Sequence, residues 1–219
     1  MTQVEDGTAA RAGEVPVSSE EELRALIGHP MEAALRKERP ALHELDRLWL
    51  AQSRFCLLAT AAADGTCDVS PKGDPEGFAL VLDERTIAIP ERNGNRRADS
   101  FRNILENPQV GTIFFIPGRG DTLRINGRAR LVSDAPWFDR MAVRGKRPVL
   151  AVVVDVEQVF HHCSKAFLRS ELWKPETWHP QDLPSRPVIA KALERPDDDL
   201  EFLEEYYGQA YERPENLYR

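Results

Sequence analysis

The chain has 219 residues, 36 acidic and 29 basic, for a net charge of −7, with 42% hydrophobic and 30% charged side chains. This is the composition of a globule with one domain and appendages, long enough to bury a core without disulfide or metal staples. Nucleic acid is a poor partner for such an acidic chain, so any bound anion must be held by a local cluster of Arg and Lys, which points to a small ligand.

The amino-terminal stretch is acidic and polar, and reads as a flexible arm over 1–18. Ser18 and Ser19 followed by Glu20 to Glu22 predict a helix start with acids in its first turn. From Leu23 to Gln52 apolar residues recur at helical spacing, broken by Gly28-His29-Pro30 and by Pro40, so two or three short helices fill 19–53.

The pattern then becomes strand-like. Phe55 to Thr60, Cys67 to Ser70, Gly77 to Leu82 and Thr86 to Pro90 are short runs separated by turn residues, and read as an antiparallel meander. Asn95 to Asn107 predicts a helix ended by Asn107 and Pro108; Val110 to Ile116 and Asp121 to Val132 predict longer strands, and Pro148 to Val156 the last strand. The links are too short for helical crossovers, which favours an antiparallel barrel, closed or partly open, over a parallel sheet. The tail over 176–219 is helical and acidic around Asp197 to Tyr207, and is expected to pack on the barrel.

Cys56, Cys67 and Cys163 show no C-x-x-C spacing, so no disulfide framework or zinc site is indicated. His161 and His162 are adjacent and diverge, with no acidic or His partner at ligand spacing, so no metal is expected. The longest apolar run, Val149 to Val154, is far short of a bilayer span, and the expected location is the cytoplasm, away from membranes.

Three segments, DVSPKGDPEGF (Asp68 to Phe78), IPERNGNRRADSFRNILENPQVGTIFFIPG (Ile89 to Gly118) and TLRINGRARL (Thr122 to Leu131), resemble the pyridoxamine 5'-phosphate oxidase-like family of FMN-binding split barrels. The resemblance implies a mainly β (α+β) fold, an antiparallel split β-barrel of about six to seven strands with flanking helices over 54–175. It also implies a homodimer with FMN in clefts between the subunits and a small-molecule substrate.

An FMN phosphate needs charge-assisted donors and backbone amides, most readily supplied at a helix start with nearby arginines. Asn95, Arg96 and Arg97 supply such groups, with Asn95 expected to cap the helix; a solvated basic helix start is the alternative. Ser70 and Lys72 fall where the family carries a flavin-contacting basic segment, toward the phosphate or the pyrimidine edge of the ring. Thr122, Arg124 and Asn126 share one strand face, with Leu123 and Ile125 on the other, so Thr122 and Arg124 are candidates to meet the flavin ring; the resemblance puts Thr122 nearest the family's flavin-contacting position, and an exposed polar strand face is the alternative. Lys165, Arg169 and Trp173 recur every four residues and would share a helix face beside the cofactor.

The expected function is an FMN-dependent oxidoreductase in which the cofactor carries the redox chemistry. The alternatives are a deazaflavin-dependent reductase on the same fold and a non-catalytic flavin- or haem-binding carrier or sensor.

Overall fold

The computed structural model describes residues 11–218, which fall into two units divided between Lys37 and Glu38. Part of the arm expected over 1–18 lies outside the described residues; 11–18 hold one turn, no helix and no strand, and every residue there is exposed. The first unit holds α1 (Glu20–Ile27) and α2 (Glu32–Leu35). Ser19 Oγ accepts from Glu22 N at 3.1 Å to cap α1, and Gly28, at φ +75°, ends it.

The second unit opens with α3 (Glu44–Gln52). His43 Nδ1 accepts from Leu45 N (3.2 Å), while Asp46 Oδ2 accepts from His43 N (2.7 Å), a reciprocal cap that fixes the helix start. The helix buries Trp49 and Leu50 in the main core.

The strands are β1 (Phe55–Ala61), β2 (Cys67–Gly73), β3 (Leu80–Val81), β4 (Thr86–Glu91), β5 (Gln109–Phe115), β6 (Thr122–Val132) and β7 (Leu150–His162). They form one antiparallel sheet in the order β2-β1-β5-β6-β7-β4-β3. The sheet curls until β2 faces β4, yet these strands share no ladder. Side chains span the seam instead: Lys72 Nζ lies 2.6 Å from Glu91 Oε2, and Arg92 Nε lies 2.7 Å from Asp74 Oδ2. A barrel open along one line and stitched by ion pairs is the split barrel expected.

The barrel core gathers Leu50, Cys56, Leu58, Ile87, Ile89, Phe114, Leu123, Ile125, Val152 and Val154. A second cluster, Ala88, Phe138, Met141, Ala151 and Val153, covers the other face of β4 and β7. Both faces of these strands are therefore buried, which explains the unbroken apolar run in β7; each such aliphatic side chain contributes about 1.5–3 kcal/mol.

Several expectations are corrected. The meander fails because β2 and β3 lie at opposite edges of the sheet, with no pairing between them. The run from Gly77 to Leu82 yields strand only at Leu80–Val81: Gly77 turns at φ +77°, where an added Cβ would sit 3.3 Å from the Ala51 carbonyl oxygen. β7 continues six residues beyond Val156, through a bulge opposite Asn126 and Gly127. At Gly127 a Cβ would lie 2.0 Å from the Asp155 carbonyl oxygen, so only glycine fits the bulge.

The helix α4 (Asp99–Glu106) starts four residues later than the predicted one, because Arg96 (φ +62°) and Ala98 (φ +59°) are left-handed and no α-helix accommodates them. Its carboxyl end falls at Asn107, as predicted. After β7 comes α5 (Lys165–Arg169), and the tail carries α6 (Arg186–Leu193), α7 (Leu200–Tyr206) and α8 (Pro214–Leu217), with Ala190 and Leu203 fully buried.

Candidate cofactor site

β2 inverts the usual alternation. Asp68, Ser70 and Lys72 share the face that opposes the buried Thr60, Leu58 and Cys56 of β1, while Val69 and Pro71 are exposed. The inward polar side chains meet the start of α4. Asp68 Oδ2 accepts from Ser70 Oγ at 3.0 Å and from the buried Ser100 Oγ at 2.5 Å, and the two hydroxyls lie 2.6 Å apart. Lys72 pairs with Glu91 and lies 4.7 Å from the Phe101 ring centroid. Asn103 Nδ2 donates to Thr60 Oγ1 at 3.0 Å.

The loop before α4 carries the predicted basic residues, all exposed. Asn95 does not cap the helix. Its Oδ1 accepts from Arg97 N at 3.0 Å, a local turn, and Ala98 occupies the cap position. Arg97 Nε pairs with Asp99 Oδ2 at 2.7 Å, and among the described residues Arg96 has no side-chain partner. Ser70, Lys72, Asn95, Arg96 and Arg97 are thus collected at one end of α4.

The other predicted residues form a second group at the β5–β6 turn and the end of β7. Thr122 is 1% exposed and pairs with His162 across the ladder. Its Oγ1 and Trp49 Nε1 are buried side-chain polar atoms without a partner among the described residues. The Arg124 guanidinium lies 5.0 Å from the Phe160 ring centroid.

The single helix expected to carry Lys165, Arg169 and Trp173 is corrected. Residues up to His162 belong to β7, and α5 spans only Lys165–Arg169, so Trp173 lies beyond it. Lys165 and Arg169 are exposed, without an ion pair among the described residues. Trp173 is held differently: it stacks on Phe167 at 5.9 Å, Phe167 meets Phe115 at 5.9 Å, and Trp173 Nε1 donates to the Arg119 carbonyl at 2.6 Å.

The fold also assembles groups the sequence reading does not select. His161 has an acidic partner after all, Asp46 Oδ1 at 3.1 Å, a residue 115 positions away. Asp46 is fully buried and gripped by Arg39 at 2.8 and 2.9 Å. Among the described residues no three His, Cys, Asp or Glu side chains group as metal ligands.

Beside the seam lies a cleft of about 330 Å³, lined by Asp74, Phe78, Arg92, Arg140, Met141 and Arg144. Arg92 anchors its wall, donating to Asp74 (2.7 Å) and to the Met141 (2.7 Å) and Lys146 (3.2 Å) carbonyls. Tyr218 packs 5.6 Å from that guanidinium, and burial, then the Asp74 carboxylate, push its phenol above the ordinary value. Arg140 and Arg144 are exposed and form no ion pair among the described residues. No sequence signal marks this cleft, since Asp74, Arg92 and Arg144 lie on three separate loops.

The outer face of β2, β1 and β5 is apolar and open: Phe55 is 39% and Val69 57% exposed, with Leu57, Ile113 and Phe115 half-buried.

A stitched antiparallel barrel with polar side chains turned inward at one edge and a basic loop before its crossing helix defines a split barrel. The chain belongs to the pyridoxamine 5'-phosphate oxidase family, whose sequence profile matches residues 42–163, more than half its length. Solved structures similar to it include HupZ of Group A Streptococcus, at 18% identity, covering 55% of this chain and 94% of that one with a TM-score of 0.44. A candidate pyridoxamine 5'-phosphate oxidase of Lactobacillus delbrueckii is 23% identical, covering 56% and 95% with a TM-score of 0.43. An F420 reductase is 21% identical, covering 52% and 92% with a TM-score of 0.36. No curated protein is similar enough to match the chain. Among the described residues no helix is long and apolar enough to cross a membrane.

Proposed function

We propose that the protein is an FMN-dependent oxidoreductase acting on a small molecule, a homodimer with its flavin between the subunits. The observation that carries this reading is the convergence of Arg96 and Arg97, on left-handed backbone before α4, with the inward Ser70 and Lys72 of β2. Such a loop offers backbone amides and two guanidinium groups to a phosphate. The orphaned Thr122 hydroxyl is a second polar atom that awaits a partner, so the residues present fit the cofactor.

Arg96 and Arg97 would hold the phosphate, while Ser70 and Lys72 would meet the chain or ring. Thr122, Arg124, Lys165, Arg169 and Trp173 lie in the second group, across β1 and β5 from the first in the sheet order. A dimer built on the open apolar face would bring one subunit's second group to its partner's first. When bound, FMN supplies the group that accepts and donates hydride. Arg140 and Arg144 at the cleft suit an anionic substrate, and Met141 and Phe78 exclude water beside it. A cytoplasmic setting agrees with three free thiols, two of them exposed.

The test is the visible spectrum of the purified protein, followed by mass identification of the released ligand and reduction by nicotinamide cofactors. Bound FMN at about one per chain, reduced and then reoxidised by an acceptor, supports the reading. A deazaflavin or haem in the released fraction overturns it, and a flavin that never turns over leaves a carrier rather than an enzyme.

A further inference from the structure

Lys72 is not a free cation. Its side chain and that of Glu91 are only 11% and 21% exposed, with Nζ and Oε2 2.6 Å apart. Glu91 is the last residue of β4 and is paired there with Leu150, so its carboxylate reaches Lys72 from a fixed strand rather than from a loop. Water is largely excluded, and a charge in such a place acts on its neighbours far more strongly than one on the open surface. The other titratable groups nearby do not take over this role. Asp74 is engaged by Arg92, and burial pushes the Cys56 thiol up to about 12, leaving it neutral.

Resting on the flavin reading above, we infer that Glu91 is a positioning residue: it fixes the Lys72 ammonium at the flavin and cancels much of its charge. The site then favours reduced, anionic flavin less than an unpaired lysine would. Glu91 is thereby a determinant of the cofactor's potential, and through it of the electron donors and acceptors that the protein accommodates.

The experiment compares wild type with Glu91→Gln, Glu91→Asp and Lys72→Met, each loaded with FMN. Affinity for oxidised FMN is read by fluorescence quenching, and the midpoint potential by spectra against reference dyes. Glu91→Gln is expected to favour reduced over oxidised FMN by about tenfold relative to wild type, a positive shift of about 30 mV for a two-electron couple. Lys72→Met is expected to move the other way, and Glu91→Asp to stay with wild type. A purely structural Glu91 would lower the melting temperature of Glu91→Gln and leave its potential in place, which overturns the inference. Should Glu91→Gln fail to fold, an unshifted Lys72→Met overturns it equally. A wild type that binds no FMN overturns the underlying reading as well, whereas a wild type that binds FMN with unshifted variants sinks this inference alone.

Discussion

Arg92 donates from Nε to Asp74 across the unladdered seam at 2.7 Å, and their side chains are only 13% and 3% exposed. Its remaining donors close on the Met141 and Lys146 carbonyls, so one guanidinium joins β4 to the end of β2 and to the segment before β7. Breaking a buried pair by removing one partner leaves an uncompensated charge and costs about 3–5 kcal/mol. Arg92→Ala is therefore expected to unfold at markedly lower denaturant concentration than wild type. Arg54→Ala, which breaks the exposed pair with Glu76, is expected to change stability by less than about 1 kcal/mol. Equal losses in the two variants, measured by chemical denaturation, contradict this account of the seam.

Thiol reactivity should separate the cysteines. Cys56 is fully buried and its thiol is pushed up to about 12 by that burial, whereas Cys67 and Cys163 are exposed. In the native protein a disulfide reagent at mild pH is expected to modify Cys67 and Cys163 rapidly and Cys56 only on unfolding. The raised value also sets a pH dependence. The unfolded thiol ionises near 9.0, so its contribution to stability is complete below that pH and is lost as pH rises toward about 12. Rapid modification of Cys56 without unfolding would argue against the packing of β1.

Much of the local structure is legible in the sequence because it depends on neighbours along the chain. The Asn107 stop and the polar and apolar faces of β6 follow from period and turn chemistry. Sheet order is different. Nothing in the period of β2 or β3 reveals that they end at opposite edges, since pairing is decided by the closure of the whole barrel. The start of α4 is misread because Arg96 and Ala98 take left-handed backbone at positions where the sequence shows neither Gly nor Asn. Partners such as Asp46 with His161 and Lys72 with Glu91 escape notice because they meet only in three dimensions.

The phosphate assignment predicts that Arg96→Ala or Arg97→Ala lowers FMN affinity. Loss of one charge-assisted contact costs about 1.5–3 kcal/mol, or roughly 10- to 150-fold. Arg96 has no side-chain partner among the described residues and Arg97 is engaged by Asp99, so the larger loss is expected for Arg96. Titration of the apo variants with FMN at matched salt checks this; two variants as tight as wild type would remove the loop from the site.

The open apolar face predicts a dimer. Val69 is 57% exposed on a strand whose other face is polar, the reverse of an edge strand facing water. Wild type is expected to sediment as a dimer at micromolar concentration, and Val69→Asp as a folded monomer with weakened FMN binding. A wild-type monomer that still holds FMN tightly would contradict the shared site.

Thr122 offers the sharpest separation between packing and function. Its hydroxyl is buried and unpartnered among the described residues, and a buried hydroxyl without a hydrogen bond costs about 1–3 kcal/mol. Valine replaces the hydroxyl by a methyl of similar volume. If the hydroxyl serves the cofactor, Thr122→Val should raise the stability of the apo protein while lowering its affinity for FMN, two effects of opposite sign from one substitution. Thermal unfolding of apo and FMN-loaded forms reads both: the variant's apo midpoint rises, and its gain on adding FMN shrinks. A variant that is more stable and binds FMN unchanged would show that the hydroxyl is only a packing defect. One that loses stability in the apo form would show that the hydroxyl already has a partner within the fold, and either result withdraws Thr122 from the cofactor site.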